Sequence, residues 1–255
     1  MDINLNADLG ESFGAYRMGD DAGLLGIVGS ANVACGFHGG DPLVMARTVR
    51  LAKEARVSIG AHPSFPDLQG FGRRVMKFAP DELAAVVTYQ VGALMGMAQA
   101  EGLRVTHVKP HGAMNNMACE DAAMASTIAQ AVRAIDPGLI LLAPALSALA
   151  SAGRAAGLRV ADEVFADRAY TDDGNLVPRS QPGAVLSNSE DCVAHVLRML
   201  ERGGIVTASG RVLPTTFHSI CVHGDNAHAV ATAAAVRDGL LTAGHRLRTL
   251  PELVS

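Results

Sequence analysis

A chain of 255 residues can bury a large core, as one domain or as two smaller ones. With 49% hydrophobic and 18% charged residues it is not a disordered chain, and the apolar surplus leaves room for a homo-oligomeric or partner surface. A net charge of −4 without a basic run gives nucleic acid no electrostatic footing.

The chain opens MDINLNADLGE, without the basic region and apolar run of a signal peptide. No apolar stretch of about 20 residues free of Pro, Gly and charge follows, so a cytoplasmic protein outside the membrane is expected. The cysteines, Cys35, Cys119, Cys192 and Cys221, form no CxxC pair and are expected to be reduced.

The first predicted strand, residues 2–8, alternates: Asn4, Asn6 and Asp8 share one face, and Ile3, Leu5 and Ala7 the other. Glu11 lies in the turn after it. The second strand, 30–35, runs into a glycine-rich loop holding His38, and a helix opens at Asp41 and Pro42, an acidic cap followed by proline at the first helical position. The third, 57–61, leads to His62 and a loop rich in aromatics and proline that reaches Pro80 and carries Asp67, Arg73 and Arg74.

A long helix over 80–100 precedes the fourth strand, 104–109, where His107 and Lys109 share a face and His111 sits on the next turn. Strands at 139–143, 158–162 and 219–223 follow, with helices at about 121–135, 146–156, 189–202 and 226–238. Asp162 and Glu163 end the sixth strand, and His223 and Asp225 the last. Between them a polar loop holds Asp167, Arg168, Tyr170 and Arg179. Residues 204–217 read as an insertion or hairpin.

About seven β-α units without a linker imply one domain over 1–255 with a parallel sheet and right-handed crossovers. Polar residues follow nearly every strand, and the glycine fingerprint of a dinucleotide fold is absent. Both point to an irregular TIM-like (β/α) barrel with its chemistry at the C-terminal strand ends.

Asp8, Glu11, His38, His62, Lys109, His111, His223 and Asp225 are the candidate catalytic residues. Asn6, His107, Glu163 and Arg179 are candidates for substrate contact. Carboxylates and imidazoles can position water or move a proton, and a lysine can neutralise a developing anion. Asp8, His62 and His111 could together hold a divalent metal. No HExxH or kinase signature occurs, and a hydrolysis by water fits this inventory best.

NLNADLGESFG, SANVACGFHGGDP, GAHPSFPD, GFGRR, HVKPHGA, EVFADRAY, LVPRSQPGA and CVHGDNAHA follow one another along residues 2–240. In this order they resemble the successive motifs of the LamB/YcsF family, whose characterised role is the A subunit of 5-oxoprolinase. The resemblance implies a barrel of the kind found in some sugar deacetylases. It also implies cleavage of the cyclic amide of 5-oxo-L-proline to L-glutamate, coupled to ATP hydrolysis with separate B and C subunits. It favours catalytic roles for the eight residues above. One departure is that Met114, Asn115 and Asn116 stand where the family usually has Leu-Tyr-Asn. The competing readings are a stand-alone metal-dependent amidohydrolase or deacetylase, and a noncatalytic scaffold subunit.

Overall fold

Alternation in the first segment becomes a strand with two different faces. In β1 (Asp2–Leu9) Ile3, Leu5, Ala7 and Leu9 join the hydrophobic core, while Asn4, Asn6 and Asp8 are buried on the other side. The computed structural model describes residues 1–223 and 228–254. The strands after β1 are β2 (Ser30–Ala34), β3 (Ser58–His62), β4 (Val105–Val108), β5 (Ile140–Pro144), β6 (Arg159–Phe165), β7 (Gly204–Val206), β8 (Val212–Pro214), β9 (Ser219–Val222) and β10 (Arg246–Leu247). β1 to β6 pair in parallel in sequence order. β9 then joins β6 to β1 and closes a seven-stranded barrel without a free edge. β7 and β8 form an antiparallel hairpin, as expected for 204–217, and β10 pairs with the start of β1.

The helices are α1 (Asp21–Leu25), α2 (Pro42–Ala55), α3 (Pro80–Ala100), α4 (Gly112–Glu120), α5 (Ala122–Ile135), α6 (Ala148–Ala155), α7 (Ser189–Arg202), α8 (Ala229–Thr242) and α9 (Leu250–Leu253). α2 begins as its sequence predicts: the Asp41 carboxylate accepts from the Leu43 and Val44 amides, and Pro42 occupies a position that needs no donor. α3 is long and apolar enough to cross a membrane by composition. Its buried residues Leu83, Val87, Val91, Leu94 and Ala98 recur every three or four positions, the stripe of a helix packed on one side.

Leu250 in α9 packs against Ile140, Leu142 and Ala161 as a small cluster separate from the main core. The neighbouring Arg248 carbonyl accepts from Asn4 Nδ2 at 2.7 Å. The C-terminal segment thus covers the end of the barrel where the strands begin.

Some boundaries differ from the sequence reading. β6 continues to Phe165, which puts Glu163 inside the barrel wall instead of at its rim. The fourth strand stops at Val108, before Pro110, although the Lys109 amide still reaches the Ala61 carbonyl at 2.9 Å. Helix α4, over GAMNNMACE, has no counterpart in that reading, because its Gly112 and its two asparagines are poor helix formers.

Candidate active site

The strands place polar side chains inside the barrel, where each must find a partner. Asn6 Nδ2 donates to Glu163 Oε1 and Ser219 Oγ, both at 2.8 Å. Asn32 Nδ2 donates to Asn6 Oδ1 (2.7 Å) and Asp8 Oδ1 (2.8 Å), and His107 Nε2 donates to Asn32 Oδ1 at 3.0 Å. Burial, and then the charge of Lys109, push the His107 imidazole down to about 3, so it is neutral. Gly60 makes room for this ring, since a Cβ there would run into it.

Lys109 caps this layer. Its Nζ donates to Asp8 Oδ1 (3.0 Å), Asn6 Oδ1 (3.3 Å) and Cys221 Sγ (3.1 Å), and stands 3.1 Å from Glu163 Oε1. Burial alone would lower the ammonium, but Asp8, Cys221 and Glu163 hold it well above the ordinary lysine range. Burial would likewise raise the Asp8 carboxyl, yet His62 and Lys109 keep it well below the usual aspartate range. Lys109 is therefore an ammonium and Asp8 a carboxylate. Burial pushes Glu163 up in spite of Lys109. Cys221 is also raised well above its ordinary value by burial, which removes it as a thiolate nucleophile.

Beside Asp8 the loops after β1, β2 and β4 and the end of β3 bring Glu11, His38, His111 and His62 together. One potential ligand atom from each lies within 4.8 Å of the others. His38 Nε2 is 3.0 Å from Glu11 Oε1, His111 Nδ1 is 3.6 Å from the same oxygen, and His62 Nε2 is 3.4 Å from Asp8 Oδ2. The His38 and His111 rings stack at 3.8 Å with 6° between planes. Burial and the adjoining imidazoles hold both well below the ordinary histidine range. Gly72, at φ +65, lets the loop after β3 close over this group: a Cβ there would meet Ser64, His111 and His38.

Across the mouth, His223 Nδ1 lies 2.8 Å from both oxygens of Asp167, and its ring stacks on Phe165 at 5.5 Å. Burial would raise Asp167, but His223 outweighs it and the carboxyl stays below its usual range. A cavity of about 400 Å³ separates the two sides. Asp8, His62, Lys109, His111 and His223 reach it, as do Arg73, Arg168 and Arg179. Burial and the nearby Arg179 push Arg168 down to about 10, and its Nε and Nη2 donate to the Ala184 (3.3 Å) and Val177 (2.7 Å) carbonyls.

Asp8, His62, Lys109, His111, Arg179 and His223 thus meet at one cavity, whereas Glu11 and His38 stand behind His62 and His111. Asn6, His107 and Glu163, expected to touch substrate, lie beneath Lys109 and do not line the cavity, because β6 runs deeper and the inward faces of β1 and β4 point into the barrel. Asp225 lies outside the described residues. Asp167, 56 residues away in the chain, holds His223. Its place in a polar loop was a signal, but its pairing was not legible. Asn32 was also missed, hidden in the apolar run SANVA. Asn115, where the family pattern has tyrosine, lines the cavity.

A closed parallel β/α barrel with carboxylates, imidazoles and a lysine at its C-terminal mouth defines a hydrolase-type α/β barrel. The chain matches the LamB/YcsF family over residues 3–255 and belongs to it. It is 62% identical to the A subunit of 5-oxoprolinase from Azoarcus sp. (strain BH72), over 99% of each chain. The crystal structure of the lactam utilization protein from Thermus thermophilus superposes with a TM-score of 0.92 at 45% identity, covering 98% of this chain and 100% of that one. The catalytic domain of a peptidoglycan N-acetylglucosamine deacetylase from Eubacterium rectale shares the fold alone, with a TM-score of 0.53 at 11% identity, covering 98% of this chain and 88% of that one.

Proposed function

We propose that this chain is the A subunit of an ATP-dependent 5-oxoprolinase, opening 5-oxo-L-proline to L-glutamate while the complex hydrolyses ATP to ADP and phosphate. The observation that carries this reading is the end-to-end match, at 62% identity, to the A subunit of a bacterial 5-oxoprolinase. The B and C subunits are the proposed partners, and the cytoplasm the proposed compartment. The chain has no Walker phosphate loop. ATP chemistry therefore falls to the partners, which would activate the lactam by phosphorylation, and this chain would open the activated ring.

The cavity contains what ring opening requires. Water must add to the phosphorylated lactam carbon and give up a proton, the C–N bond must break with a proton passing to the nitrogen, and the acyl phosphate so formed must lose phosphate to a second water. Arg73, Arg168 and Arg179 form the cationic wall for the substrate carboxylate. The ionised Asp8, beside His62, is the acceptor that orients the water. His223, held by Asp167, donates the proton to the departing nitrogen. Lys109 holds Asp8 charged. Asn6, His107 and Glu163 set the position of Lys109 from below, and Glu11 and His38 support the two histidines at the cavity wall.

Glutamate formation from 5-oxo-L-proline and ATP tests this, with the chain alone, with B and C alone, and with all three. Activity only in the mixture is expected. Glutamate from the chain alone without ATP would instead mark a stand-alone amidohydrolase, and a correctly assembled but inert mixture would remove the substrate.

A further inference from the structure

We propose that His62, His111 and Glu11 form a binding centre for a first-row transition-metal dication of the zinc type, with His38 positioning Glu11. This goes beyond the reaction above and does not depend on its substrate.

The argument begins with tautomers. A carbonyl oxygen can only accept, so each imidazole nitrogen facing one must carry hydrogen. His62 Nδ1 lies 2.6 Å from the Lys109 carbonyl and His111 Nε2 lies 2.9 Å from the Phe71 carbonyl. In the neutral rings the other nitrogens, His62 Nε2 and His111 Nδ1, therefore present lone pairs. Those two atoms are 3.0 Å apart. Two lone pairs do not bond, so an electron-poor centre, a proton on one ring or a metal ion, lies between them.

The spacing suits a metal ion. Ligands about 2.0–2.1 Å from one ion stand roughly 2.9 Å apart at a right angle and roughly 3.4 Å apart in a tetrahedron. The two nitrogens at 3.0 Å, and Glu11 Oε1 at 3.6 Å from His111 Nδ1, fall close to this range. Both rings also hand their remaining N–H to a backbone carbonyl, the support that fixes a metal-bound histidine.

His38 is different. Its Nε2 donates to Glu11 Oε1 at 3.0 Å, which in the neutral ring leaves the buried, unpartnered Nδ1 as the lone-pair nitrogen. It therefore aims the Glu11 carboxylate and is not itself a ligand. Asp8, the carboxylate expected from sequence, puts Oδ2 3.4 Å from His62 Nε2 but stands outside the group that holds His62, His111 and Glu11 within 4.8 Å of one another, so Glu11 takes its place.

Two imidazoles and one carboxylate favour zinc, iron or cobalt over magnesium or calcium. Because His62 and His111 also line the cavity, the ion would keep an open side towards it, as catalytic and not structural ions do. An ion there would supply Lewis acidity to an oxygen in the cavity.

The test uses the full chain stripped by chelator, titrated with Zn²⁺ by calorimetry and with Co²⁺ by visible absorption. One ion per chain is expected, with binding lost in His62→Ala and His111→Ala. His38→Ala should weaken it by about 10–100-fold, with partial recovery in His38→Gln. His245→Ala, on a surface segment, should bind like the parent. Far-ultraviolet circular dichroism confirms that each variant is folded. Absence of uptake by the parent, or equal uptake by the His62 and His111 variants, overturns the proposal. An imidazolium seen by ¹⁵N NMR that ignores zinc would do the same, since a shared proton then occupies the gap. The readout is binding, so failure of the 5-oxoprolinase assay leaves it untouched.

Discussion

Asp167 and Lys109 touch different parts of the chemistry, and their substitutions should fail in different ways. Asp167 fixes which nitrogen of His223 bears hydrogen, with both its oxygens 2.8 Å from Nδ1. Asp167→Asn keeps the shape but weakens that control, and kcat of the assembled enzyme should drop on the order of 10²–10⁴-fold with KM little changed. A KM effect alone would mean that Asp167 merely shapes the pocket. Lys109 instead neutralises two buried carboxylates, at 3.0 Å and 3.1 Å. Lys109→Met should lower folding stability by about 3–5 kcal/mol, read from the urea midpoint. Adding Glu163→Gln should restore part of that loss. A single variant as stable as the parent would show that the ammonium is not what holds the carboxylates together.

The seven barrel strands were legible as elements because their apolar runs are short and end in polar residues. What each strand does with its inward face was less legible. Asn6, His107 and Glu163 share types with the rim residues, and only the strand register separates those that reach the cavity from those that support Lys109. The close packing of β3 on β4 gives a sharp test. Gly60→Ala would drive a methyl group into the His107 ring and should destabilise by about 1–3 kcal/mol, seen as a lower Tm; an unchanged Tm would mean that the ring can move aside.

In the loop after β3, Asp67 accepts from the amides of Gly70 (2.8 Å) and Arg74 (3.1 Å) and from Arg74 Nε (2.7 Å). The Arg74 side chain first, and those amides after it, hold the carboxyl below its ordinary range. Its contribution is complete above the unfolded aspartate value and is lost as pH falls through the lower folded one. Hydrogen-exchange protection in this loop should therefore fall on acidification, and Asp67→Asn should flatten that dependence.

At the scale of the whole molecule, the barrel has a chemical end and a closed end. The closed end rests on Leu250, fully buried against Ile140, Leu142 and Ala161. Leu250→Ala should cost about 2–5 kcal/mol in thermal or urea unfolding while leaving the mouth and its chemistry in place. Equal loss of stability and turnover would show that the two ends are coupled. The sequence had no clear sign of this plug, because four helical residues after a two-residue strand are too short for periodicity to register. The opposite end was more readable, since its motifs are long and ordered along the chain.

Asn6, in the first strand, bonds to Glu163 and Ser219, which follow it by 157 and 213 residues. Lys109 likewise contacts Cys221, 112 residues downstream. During synthesis the segment that supplies Ser219 and Cys221 leaves the ribosome well after the strand that carries Asn6 and Asp8 and the loop that carries Lys109. The nascent chain therefore carries Asp8, His62 and Lys109 before the contacts that Ser219 and Cys221 provide can form. Competence arrives late and all at once, so a stalled or prematurely terminated product would be inert rather than a partly working enzyme free to compete for the same partners.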